Sequence, residues 1–82
     1  MNDLGNGVLD VMERSSLGRM SVYILSKQSI DLGIDLDDMT PDDIPVLAER
    51  FKKVLPFFLG DETDDVVRSI SLLANDGHTV MK

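Results

Sequence analysis

Apolar residues recur every three or four positions in four separate stretches of this chain, and Gly, Pro or acidic residues interrupt the pattern between them. A period near 3.6 puts each set on one side of a helix, whereas a strand would alternate every second residue. The first set is Leu4, Val8, Val11 and Met12. In the second, Leu17, Met20, Ile24 and Lys27 define one face and Val22, Leu25, Ser29 and Leu32 another, with Tyr23 and Ile30 widening the apolar arc. Ile44, Leu47, Ala48, Phe51, Val54 and Leu55 form the third; Val66, Val67, Ile70, Leu73 and Ala74 form the fourth. The pattern predicts an all-α fold, a compact bundle of about four short helices near 3–14, 16–32, 41–55 and 61–75. At 82 residues the chain is read as one helical domain over 1–82, burying about 60% of the surface its unfolded form exposes. Residues 78–82 are expected to form a disordered tail.

The punctuation supports these bounds. Asn2 or Asp3 can cap the first helix, although Gly5 and Gly7 weaken its start by about 1 kcal/mol each relative to Ala. Ser15 or Ser16 can cap the second, and Gly33 suits a left-handed stop. The run 21–25 has strand propensity, but no second run of similar character exists to pair with it. Thr40-Pro41-Asp42-Asp43 combines a capping hydroxyl, Pro at the helix start and carboxylates at the positive end of the helix dipole. Pro45 removes a donor one turn later, which a 3₁₀ turn at 41–44 reconciles with α-helix from Ile44. Pro56 closes or kinks the third helix, Phe57 to Leu59 make an apolar corner, and Asn75-Asp76-Gly77 reads as a stop.

Charge narrows the function classes. The formal net charge is −7. Asp31, Asp35, Asp37, Asp38, Asp42 and Asp43 fall in one stretch without Lys or Arg, and Asp61, Glu62, Asp64 and Asp65 form a second cluster. Phosphate neutralisation dominates nucleic-acid affinity, so no nucleic-acid partner is expected, and anionic membrane surfaces are disfavoured alike. The longest apolar run, Val22 to Leu25, falls far short of the roughly 20 residues of a membrane span. Met1 to Gly7 is polar and acidic, unlike a signal peptide, and a cytoplasmic location is expected.

Each candidate chemistry meets a missing group. With no Cys, disulfides, thiolate metal sites and thiol nucleophiles are excluded. A calcium loop beginning at Asp31 would place Gly33 at a ligand position, Leu36 at the sharp turn and Asp42 where a bidentate Glu belongs. Asp31, Asp35, Asp37 and Asp38 therefore stand only as weak metal candidates, and a solvated loop leading into an acidic helix start explains them without a ligand. Asp31-Leu32-Gly33-Ile34-Asp35 before a helix superficially resembles an acyl carrier protein, but Leu36 stands where the attachment Ser belongs, so the resemblance implies no carried group. The sole His, His78, lies in the expected tail rather than on a helix face suited to phosphotransfer. The serines have no His base supplied by context, and Gly5 and Gly7 lack the strand and Lys of a phosphate loop. A helix-turn-helix would have only Arg50, Lys52 and Lys53 for its recognition face.

The expectation that remains is a non-enzymatic protein–protein interaction module, regulatory or accessory, with self-association as one form, and with no cofactor. A helix apolar over most of its circumference is either central to a bundle or covered by a second chain. Val22, Tyr23, Leu25 and Phe58 are the contact candidates. Two alternatives stand beside it: a domain responsive to divalent ions through the Asp-rich 31–43 connection, and an acidic surface that occupies a basic partner's groove.

Overall fold

The computed structural model describes the backbone of residues 1–80 and the side chains of residues 1–74. Helices account for every regular element among the described residues: α1 (Asp3–Glu13), α2 (Met20–Leu32), α3 (Asp43–Val54), α4 (Pro56–Leu59) and α5 (Glu62–Val80). The chain is thus all-α; the expected third segment is α3, and the apolar corner expected at Phe57 to Leu59 forms, with Pro56, a single helical turn, α4.

Helix α1 begins at Asp3, despite Gly5 and Gly7 in its first turns. The Asn2 side chain accepts the Gly5 N–H at 2.9 Å and donates through Nδ2 to the Met39 carbonyl at 2.9 Å. The Asn2 N–H donates to the Leu36 carbonyl at 3.0 Å, so one residue caps α1 and ties it to the connection before α3. Gly5 is part of this tie: a Cβ there would lie 2.9 Å from the Leu36 carbonyl oxygen, inside contact distance. The residue that lowers helix propensity lets two backbones meet.

Helix α2 starts at Met20, four residues later than the pattern predicts. Gly18 sits at φ +51°, a conformation outside the right-handed helix, so residues before it form turns instead. Ser15 orders that turn. Its hydroxyl donates to the Met12 carbonyl and accepts the Leu17 N–H at 3.1 Å. At the other end Gly33, at φ +73°, stops α2 as expected. The Ile34 N–H reaches the Ser29 carbonyl and the Gly33 N–H reaches Ile30, the paired bonds of a left-handed helix stop.

Before α3, Asp43 N–H donates to the Thr40 carbonyl and Ile44 N–H to the Pro41 carbonyl. These three-residue steps are the tight turn expected at 41–44. The capping group differs: the Asp43 carboxylate accepts the Thr40 N–H at 3.0 Å, and no side-chain bond caps the helix start itself. Pro45 lies in the first turn, where its missing N–H would have had no helical partner. At the end of α5 the backbone stays helical through Asn75, Asp76 and Gly77 to Val80. None of those residues forbids a helix as Pro would; they lower propensity by at most about 1 kcal/mol each. Of the tail expected at 78–82, residues 78–80 continue α5, and 81–82 lie outside the described residues.

The core joins all the long helices: Val8 and Met12 from α1, Ile24 and Leu25 from α2, Ile44, Leu47 and Phe51 from α3, and Val66, Val67 and Ile70 from α5. Leu17, Met39 and Leu55 seal it from the connections and the α3–α4 junction. Helix α5 packs against α1, α3 and α4, whereas α2 packs against α1 and α3. The helix whose composition pointed to the middle of the bundle is at its side, and α5 with α3 forms the centre. No described helix is long and apolar enough to cross a membrane.

Candidate functional site

A peripheral helix needs one apolar face, and α2 has two. Its inner face buries Ser21, Ile24, Leu25 and Ser29, with Gln28 and Leu32 half-buried at its edge. Met20, Val22, Tyr23 and Ile30 face outward. Tyr23 is 71% exposed and Ile30 78%, so the largest apolar side chains of the outer face contact little of their own chain. The inner face thus mixes two hydroxyls with Ile24 and Leu25, while further apolar side chains stand outside, unlike the single apolar stripe of an amphipathic helix.

The buried hydroxyls are a second unusual feature of this helix. Neither Ser21 nor Ser29 has a hydrogen-bond partner for its side-chain oxygen, and neither does Thr63 on α5. A buried hydroxyl without a partner costs about 1–3 kcal/mol.

The four contact candidates do not make one surface. Val22 and Tyr23 lie on the outer face of α2. Leu25 is at 0% exposure inside the core, because two steps along the helix from Tyr23 is about 200° around it; it cannot meet a partner while the fold is intact. Phe58 is 52% exposed on α4, which packs against α3 and α5 rather than α2. Phe57 beside it is more exposed, at 87%. Ile30 and Met20 were missing from the set. The signal for Ile30 is its spacing, seven residues after Tyr23 and therefore on nearly the same side.

The polar flank of the α2 face is internally balanced. Lys27 pairs with Asp31 one turn on at 3.3 Å, and Arg50 of α3 lies 3.9 Å from the same carboxylate. Arg50 also donates to the Gln28 side chain at 2.9 Å, which joins α2 to α3 at the edge of the face.

The structure disperses the aspartates weighed as metal candidates. Asp31 belongs to the Lys27 pair; Asp35 accepts the Asp37 N–H at 2.9 Å and so shapes its own turn. Asp37 pairs with the Met1 ammonium at 2.8 Å, whose hydrogen bond and charge hold its carboxyl below the ordinary range. Asp38 is exposed. Among the described residues, no three acidic or His side chains converge as metal ligands would. One shallow cleft lies between the end of α1 and the start of α5, lined by Val11, Arg14, Ser15, Glu62 and Asp65. The Glu62 carboxylate there accepts the Ser16 N–H, so it is engaged in tying the turn after α1 to α5.

No family model, curated protein or solved structure matches this chain. The site is therefore read from its own residues alone.

Proposed function

We propose that this chain is a non-enzymatic protein–protein docking module that acts in the cytoplasm as an accessory or regulatory unit, with the outer face of α2 as its contact surface. One observation carries the reading: Met20, Val22, Tyr23 and Ile30 face solvent on a helix whose buried side includes two unpartnered serine hydroxyls. Single exposed apolar residues are ordinary, but a contiguous group on one helix marks an interaction surface. Tyr and Met at its edges suit that use, since interfaces favour both.

The test compares the wild-type chain with Ile30→Asp and Tyr23→Asp in affinity capture from its native cell. Both substitutions fall on exposed side chains, so the fold, checked by circular dichroism, should survive. A partner held by the wild type and lost from both variants supports the reading. Identical capture by all three proteins would remove it.

A further inference from the structure

On the docking reading above, we propose that the occupant of the α2 face is a second copy of this chain, laid antiparallel along the helix. The face is self-complementary in shape and in charge. Arg19, Tyr23, Ser26, Ile30 and Gly33 follow one another at alternating steps of four and three residues, the spacing that keeps a seam facing one neighbouring helix. A two-fold axis between Ser26 and Lys27 sets Tyr23 of each copy against Ile30 of the other. Ser26, small and half-buried, then lies at the crossing, where the helix axes can approach closely. Such a contact uses the same patch twice and closes on itself.

The charges favour the same arrangement. Although the chain carries −7, α2 holds one Lys and one Asp, and these pair with each other. Those two charges offset each other within the helix, so the carboxylates of the acidic connections do not meet across the face, and Arg19 is the charge left at its end. Arg19 stands at the N-terminal end with no ion pair among the described residues, and Asp35 stands just past Gly33 at the opposite end. Antiparallel stacking brings Arg19 of each copy to Asp35 of the other, twice per dimer. A single pair of 13-residue helices, each about 20 Å long, offers less than the about 1,200 Å² of a standard interface, so the dimer is a weak and reversible one.

Sedimentation equilibrium from about 10 µM to about 1 mM spans the range in which such a contact is populated. The expected result is a concentration-dependent monomer–dimer equilibrium that Ile30→Asp weakens by at least about tenfold. Arg19→Glu should weaken it several-fold, and Arg19→Glu with Asp35→Arg in the same chain should restore it. Persistence of the dimer in Ile30→Asp overturns the proposal by placing the contact elsewhere, and indifference to Arg19→Glu overturns the antiparallel register. A strict monomer at the highest concentration overturns the second copy as occupant. In that case, capture of a different protein by wild type but not by Ile30→Asp leaves the docking reading standing, whereas identical capture removes both.

Discussion

At the residue scale, neighbours on one helix have opposite fates. Leu25 lies in the core at 0% exposure while Tyr23 is 71% exposed. Leu25→Ala should therefore lower unfolding free energy by about 2–5 kcal/mol, and Tyr23→Ala should change it by less than about 0.5 kcal/mol, both read by urea denaturation. Gly5 tests the same contrast in backbone terms. Ala there should gain about 1 kcal/mol of helix propensity, but its Cβ would stand 2.9 Å from the Leu36 carbonyl. Overpacking against backbone costs about 1–3 kcal/mol, so Gly5→Ala is expected to destabilise; a rise in melting temperature would contradict that close approach. The sequence marked Gly5 only as a weak helix former. The residue it touches is more than thirty positions away, and no local pattern reports such a contact.

At the scale of elements, the existence of the long helices was legible, and so was their facing except on α2. The stripes on α1, α3 and α5 are buried as their periods indicate: Val8 and Met12, Ile44 to Phe51, Val66 to Ile70. On α2 the apolar residues surround the helix, so periodicity could not choose a side, and the packing surface fell between the two faces read from the sequence. Serines take two of its buried positions. Because the Ser29 hydroxyl is held inside without a partner, Ser29→Ala should be neutral or stabilising by up to about 1 kcal/mol; a loss of stability in thermal melts would indicate a hydroxyl bond. On α3 the Lys52 ammonium lies 2.8 Å from the Glu49 carboxylate. Its hydrogen bond and charge lower the Glu49 titration, and the Glu49 carboxylate raises that of Lys52. The pair's contribution is present above the ordinary Glu range near pH 4.3 and below that of Lys near 10.4. It is lost as pH falls through the folded Glu49 value or rises through the folded Lys52 value. Lys52→Met should return the Glu49 midpoint, followed by NMR, upward toward the ordinary range.

At the scale of the whole molecule, the charge excess and the open helix face act separately. Asp35, Asp37, Asp38 and Asp42 are exposed within one short connection. Their repulsion opposes the compact state, whereas exposed ion pairs contribute only about 0–1 kcal/mol each. Raising ionic strength from about 10 to about 150 mM should therefore raise the melting temperature; a fall would mean that attractive pairs dominate. The sequence by itself determined the helical class, the stops at Gly33 and Pro56, and the clustering of acids around helix starts, because these depend on neighbours within a few residues. Only the tertiary structure decided that α5 is central and α2 peripheral, that Leu25 is inside and Ile30 outside, and that Gly5 receives a distant carbonyl. Those outcomes depend on which helices share the core, a competition among contacts distant in the chain. The broad apolar circumference of α2 left two ways to cover it, and the packing left its outer half open.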